Sequence, residues 1–214
     1  EEEKTEEKLY FYEVEHIEPI KLDIIKKIIK IIDKQYTYEN AIFTGSFLED
    51  GFNFNDIDIV LIGKNKPTIK EEIENRIGIK AHIIFIDNKS LMKGLSTDPI
   101  YQMMLSKCIA KKRFIYNVKN EINYKILDLH LLKSKTLIDN FDILDGNEKY
   151  YLTRNLISIF IYVKGKKIGK EAVDNEIKKT FDVDIKTIKQ NSLDKNKFIK
   201  RYKEVYKKTF DKLM

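Results

Sequence analysis

The spacing of apolar residues divides the chain into a front half of strands joined by helices and a back half of helices. Ile20, Ile24, Ile25, Ile28, Ile31 and Ile32 recur at helical intervals with Lys26, Lys27 and Lys30 between them. Pro19 stands where a helix can begin, so an amphipathic helix that covers a core is predicted there. Before it, "LYFYEVEHI" alternates as a short strand does. After it come a strand at Ala41 to Phe43, a turn at Thr44 to Asn55, a strand at Ile57 to Ile62, a helix at Thr68 to Arg76 and a strand at Lys80 to Ile86. Pro67 and Gly78 punctuate that series as start and stop signals.

From Pro99 the pattern turns mainly helical. "PIYQMMLSKCIA" reads as a helix and "RFIYNV" as a short strand or extended segment. "NYKILDLHLLKSKTLIDNF" reads as a long helix with Leu127, Leu131, Ile138 and Phe141 on its apolar side. "NEKYYLTRNLISIFIYVKG" reads as a helix buried on more than one side and ended by Gly165. Two more basic-faced helices follow, in "KEAVDNEIKKTF" and "DKNKFIKRYKEVYKKTFDKLM". Strands followed by helices predict an α+β fold: a mixed sheet with flanking helices over residues 1–117, then a helical bundle over 118–214. No internal repeat or low-complexity linker interrupts them.

Composition narrows the class. Hydrophobic residues make up 43% of the 214, with twelve Phe and twelve Tyr, enough to bury a core. Charged residues make up 35%, mostly Lys on the basic side, a profile shared by proteins of hot environments and of AT-rich genomes. The net charge of +6, from 40 bases and 34 acids, permits polyanion contact without requiring it. A single cysteine, Cys108, in an apolar helical context supplies no disulfide framework and points to a reducing cytoplasm. No apolar run has membrane-spanning length and no signal peptide is visible. The opening "EEEKTEEK", acidic and without Met, is expected to fray and is the start expected of a fragment or of a product whose native start is missing.

The chemistry is concentrated in "AIFTGSFLEDGFNFNDIDIVLIG". Residues at i and i+2 of a strand share a face, so Asp56 and Asp58 present both carboxylates to one side while Ile57 and Ile59 face the other. Two carboxylates so placed repel unless a proton or cation neutralises them. A divalent metal does so, and magnesium commonly takes one or two carboxylates together with water and phosphate oxygens. Gly45 lets the backbone approach a ligand, and Ser46 offers an N–H and a hydroxyl. A helical turn beginning at "SFLED" would add an N-terminus that favours an anion. The alternative reading is an Asx-rich turn in which "GFNFND" bonds to its own backbone.

This arrangement resembles the DNA polymerase β-like nucleotidyltransferase superfamily in its minimal form: apolar strand, Gly45-Ser46, nine intervening residues, then Asp56-Ile57-Asp58 opening the next strand. The resemblance covers Ala41 to Leu61 and extends loosely to Tyr116. It implies a metal-dependent enzyme that moves a nucleoside monophosphate from a nucleoside triphosphate to an acceptor hydroxyl, on an RNA end, a protein or a small molecule, with release of pyrophosphate. By the same resemblance Asp56 and Asp58 are catalytic metal ligands for Mg2+ or Mn2+, and Gly45 and Ser46 bind the nucleotide. Members of the family usually carry a third carboxylate on a neighbouring strand. Here the matching stretch, "IKAHIIFID", offers His82, and Asp87 falls at the far end of that strand on its opposite face.

Three roles are open to His82: a general base, an uncharged ligand that would favour manganese, or a strand histidine without chemistry. Lys107 and Lys111, in "SKCIAKKRFIYN", are candidate nucleotide contacts; a solvated basic helix end is the other reading. Tyr150, Tyr151, Arg154, Tyr162 and the Lys-rich end could contact RNA, or could simply be packed core with a solvated rim. Besides the enzyme, two further readings remain: a nucleotide- or nucleic-acid-binding module that has lost catalysis, and a toxin–antitoxin partner. The acceptor, the base and the oligomeric state are not encoded in these patterns.

Overall fold

The structure is a computed structural model that describes residues 8–114 and 118–214. The opening acidic segment and the middle of "RFIYNV" fall outside the described residues. Contacts within the chain define two compact units, Glu1–Lys93 with Met104–Asn117, and Gly94–Met103 with Val118–Met214. The fold is α+β, and no helix is long and apolar enough to cross a membrane among the described residues.

The first unit is built on a five-stranded mixed sheet. Its strands are β1 (Tyr10–Tyr12), β2 (Asn40–Thr44), β3 (Asp56–Ile62), β4 (Lys80–Ile86) and β5 (Cys108–Ala110), in the order β1-β5-β2-β3-β4. All neighbours are antiparallel except β3 and β4, whose parallel pairing needs the crossover supplied by helix α2 (Thr68–Ile77). Helix α1 (Pro19–Gln35) starts on the proline and buries Ile25, Ile28, Ile29 and Ile32 completely. Strand alternation then sorts the sheet into two faces. Ala41, Phe43, Ile57, Ile59, Leu61, Ala81 and Ile109 join α1 and α2 in one apolar cluster. Asp56, Asp58 and His82 occupy the face turned away from that cluster, in phase with Ile42, Val60 and Ile84.

Helix α3 (Asn88–Thr97), for which the sequence reading had no element, and α4 (Pro99–Ser106) each contribute to both units. The helix expected over Pro99 to Ala110 ends at Ser106. Cys108, Ile109 and Ala110 form β5 instead, between β1 and β2, and all three are fully buried. A strand covered on both faces loses the alternation that marks half-buried strands, so an apolar run of this kind reads equally well as helix.

The second unit is helical. Its long elements are α5 (Tyr124–Asp139), α6 (Gly146–Val163), α7 (Lys170–Phe181) and α9 (Lys195–Asp211), with a single short helix α8 (Ile185–Lys189) between the last two. Helix α6 runs through the middle, buried on every side from Asn155 to Tyr162 and packed by α5, α7, α8 and α9. A capping box fixes its start, with Asp145 accepting from the Glu148 amide and Glu148 accepting from the Asp145 amide. On α5 the expected Leu127 and Leu131 are buried, but Leu137 is buried in place of the expected Ile138, which is half-buried; on α9 Phe198, Tyr202 and Val205 are core and Phe210 is exposed.

The position of Cys108 yields a chemical prediction. Burial, with the Glu13 carboxylate adding to it, pushes its thiol up to about 12. Native protein should therefore resist a thiol-specific reagent at pH 8, and a full equivalent should react once denaturant unfolds the chain. Rapid labelling of the native protein would contradict the placement of β5.

Candidate functional site

Thr44, the last residue of β2, pairs with Asp58 across the antiparallel ladder. Gly45 follows at φ 83°, ψ −164°, a conformation that side chains disfavour, and the chain turns there against the carboxylate of Asp58. A Cβ built on Gly45 would lie 2.1 Å from Asp58 Oδ2 and 3.0 Å from its Cγ. Backbone and carboxylate thus meet in a space that only glycine leaves open. Ser46 is exposed and begins a single 3-10 turn, Ser46–Leu48, closed by the Leu48 amide donating to the Gly45 carbonyl. One turn carries little macrodipole, so an anion here would be held chiefly by individual N–H groups and the Ser46 hydroxyl.

On the other side of β3 the parallel register sets His82 opposite Asp58 and Lys80 opposite Asp56. The His82 ring nitrogen Nδ1 lies 3.0 Å from Asp58 Oδ1. Asp58 is about a quarter exposed (26%) and His82 mostly exposed (63%), so the pair is open to solvent from the imidazole side. The two oxygens of Asp58 are thereby divided, Oδ1 toward His82 and Oδ2 toward Gly45. With Nδ1 carrying the proton donated to Asp58, Nε2 is left as an acceptor. Among the described residues no group of three His, Cys, Asp or Glu side chains is ready to hold a metal ion. A cation here would draw on Asp56 and Asp58 and complete its shell with water and phosphate oxygens, as magnesium ordinarily does.

The two lysines named from sequence part company. Lys107 Nζ lies 3.1 Å from Glu49 Oε2, just beyond the 3-10 turn, so it sits at the Gly45 end of β2. Thr44 Oγ1 reinforces this corner, 2.7 Å from the Met104 carbonyl oxygen and 3.0 Å from that of Lys107. Lys111 is attached to the opposite end of β2, where its amide donates to the Ala41 carbonyl. Its ammonium pairs with Asp33 and with the Tyr38 hydroxyl and lies over the Tyr38 ring. Four residues of strand separate it from Gly45, about 13 Å at the usual rise. Sequence reasoning overlooked Glu49, which becomes visible only once Lys107 is known to fold back on the turn.

Asp87, the further acid considered from sequence, does not join Asp58. Asp87 caps α3, accepting from the Ser90 amide at 2.9 Å and the Ser90 hydroxyl at 2.7 Å, and these bonds hold its carboxyl below the usual range. Glu148 belongs to the capping box of α6. A shallow cavity of about 510 Å³ lies at the Asp87 end of β3 and β4, lined by Gly63, Lys64, Phe85 and Asp87. It is not the better site: its Asp87 carboxylate is engaged by the helix cap, and the polar groups that meet across strands do so at Gly45, Asp58 and His82. In the helical unit Tyr150 and Tyr162 are buried, the first hydrogen-bonded to Asp174 and the second to the Ser96 and Glu121 carbonyls, while Tyr151 is exposed beneath Arg154. His130 pairs with Asp98 at 3.0 Å.

Comparison with protein-family models, with curated proteins and with solved structures returned no match. The geometry at Gly45, Asp58 and His82 therefore carries the functional argument.

The fit between Gly45 and Asp58 can be measured by a double-mutant cycle. Gly45→Ala should cost about 2–4 kcal/mol in denaturant unfolding, combining an unfavourable φ with a steric clash. In an Asp58→Ala background the same change should cost only about 1–2 kcal/mol, the backbone strain alone. Equal costs in both backgrounds would show that the two residues do not touch.

Proposed function

We propose that the chain is a metal-dependent nucleotidyltransferase that transfers a nucleoside monophosphate from a nucleoside triphosphate to an acceptor hydroxyl. The observation that carries this reading is the contact between Gly45 and Asp58, which joins a side-chain-free backbone turn to a carboxylate pair on one strand face. Asp56 and Asp58 fit a divalent cation, Mg2+ or Mn2+, because two neighbouring carboxylates are stable together when a cation neutralises them. Such a cation, when bound, neutralises phosphate charge and stabilises the attacking and leaving oxygens.

The chain's own groups do the positioning. The Ser46 N–H and hydroxyl orient the triphosphate against the Gly45 turn, and Lys107 stands at the same end of the sheet. Asp58 holds the His82 ring through Nδ1, which leaves Nε2 to take the proton of the acceptor hydroxyl. The acceptor oxygen then bonds to the α-phosphorus, the bond from that phosphorus to the bridging oxygen breaks, and pyrophosphate leaves. RNA ends, protein side chains and small molecules all present suitable hydroxyls.

One observation favours a second reading. The position facing Asp58 on β4 is an imidazole where a further carboxylate would strengthen metal binding, and a nucleotide-binding module without transfer chemistry would tolerate that.

The test is transfer of α-phosphate label from each of the four ribonucleoside triphosphates, with Mg2+ or Mn2+, to the protein and to added RNA. Transfer is expected to drop by about two orders of magnitude or more in Asp58→Ala, and by about 10²-fold in His82→Ala. Metal-dependent triphosphate binding without transfer would favour the module. Absence of that binding would sink both readings.

A further inference from the structure

Among the described residues, Lys21 is the one lysine whose side chain is completely shielded from solvent while lying outside the site just described. It sits in the first turn of α1, three residues after Glu18, and its ammonium touches groups from the loop that joins β2 to β3. Nζ lies 2.8 Å from Glu18 Oε2 and donates to the Glu49 carbonyl at 2.5 Å. The rings of Phe47, Phe52 and Phe54 surround it at 5.9, 5.4 and 5.7 Å. Glu18 Oε1 accepts in turn from the Gly51 amide at 2.5 Å. An ammonium removed from water is costly unless it is paired and hydrogen-bonded, and here one carboxylate, one carbonyl and three aromatic faces replace the water. Every one of those groups except Glu18 belongs to the span between Gly45 and Asp56.

That span is the only covalent connection between the phosphate-facing turn and the carboxylate strand, and it has little regular structure beyond the Ser46–Leu48 turn. Three of its aromatic residues close over a single cation, Phe47 and Phe54 also pack edge to face at 4.8 Å, and Lys107 pairs with the Glu49 side chain. We infer that Lys21 and Glu18 are positioning residues, an ion-pair clamp on α1 that fixes the Gly45–Asn55 loop and so sets the distance between the Ser46 turn and the Asp56–Asp58 pair. This inference rests on the nucleotide-site reading for its functional half. The mechanical half, that the pair immobilises the loop, stands on the contacts alone. The lysine hydrogen bond, with the Gly51 amide bond helping, holds the Glu18 carboxyl down at about 2, so the clamp stays ionised at neutral pH.

The experiment compares wild type with Glu18→Ala/Lys21→Met, which removes both charges together and leaves an apolar stem among the three rings. Ile73→Val, on the buried face of α2, serves as a control that loosens the core elsewhere. Hydrogen exchange of the Leu48 and Glu49 amides, which donate to the Gly45 and Ser46 carbonyls and keep both partners in the double variant, should accelerate at least about tenfold in that variant and stay near the wild-type rate in the control. Unchanged exchange of these two amides would overturn the clamp, and this readout requires no nucleotide. Affinity for Mg2+·ATP, followed by calorimetry, should weaken about tenfold in the double variant and hold in the control. Equal affinity in wild type and double variant would overturn the positioning role. A wild type that binds no triphosphate would remove the nucleotide-site reading together with the functional half, and the exchange result would still decide the mechanical half.

Discussion

The antiparallel ladder between β2 and β3 determines where everything else in the first unit can go. By placing Thr44 opposite Asp58 it delivers the next residue of the chain directly onto that carboxylate, where a Cβ would collide with Oδ2. Glycine is the residue that satisfies both the closeness and the positive φ. Once this contact is made, the parallel register of β3 with β4 brings His82 to the remaining oxygen of Asp58. The chemistry proposed for the chain follows from these two registers. A slip of one residue in either would turn the side chains of one strand to the other face and separate the groups.

The face opposite α1 and α2 carries this polar corner because the other face is committed to the core. Ile57 and Ile59 are buried in the α1–α2 cluster, which forces Asp56 and Asp58 outward by alternation. Polar groups at the other end of the same strands are arranged differently. There Asp87 stabilises the start of α3, and Lys111 is bound to Asp33 and Tyr38 at the start of β2. The sheet therefore has one end whose polar side chains meet each other across strands and another whose polar side chains close off neighbouring elements.

Much of this was legible in the sequence, for reasons that also explain what was not. Helices α1, α2 and α7 stood out because one face of each is apolar and the other is not, strands β3 and β4 because each is an apolar run opening on alternating polar residues, and Pro19, Pro67 and Gly78 mark ends. Strand β5 did not, since Cys108, Ile109 and Ala110 are buried on both faces and leave no alternation. The Asp56–Asp58 pair and Gly45 could be read from local spacing, because strand geometry alone puts the two carboxylates on one side. The partner of Lys111 could not, as Asp33 is 78 residues away and is brought near only by the sheet order. Lys21 shows the same limit from the opposite side. Its burial depends on Phe47, Phe52 and Phe54, contributed by a loop that no local pattern connects to α1.

The charge balance of the site gives the account its sharpest consequence. Two aspartates on one strand face, with a backbone turn pressed against one of them, form an arrangement whose repulsion a divalent cation relieves and whose open side suits an anion bridged by that cation. A crystal structure with Mg2+ and a non-hydrolysable nucleoside triphosphate tests this most directly. The account predicts the cation on Asp56 and Asp58, with the terminal phosphates over the Ser46 amide. A triphosphate found in the cavity at Gly63 and Asp87, or a cation that avoids both aspartates, would contradict it.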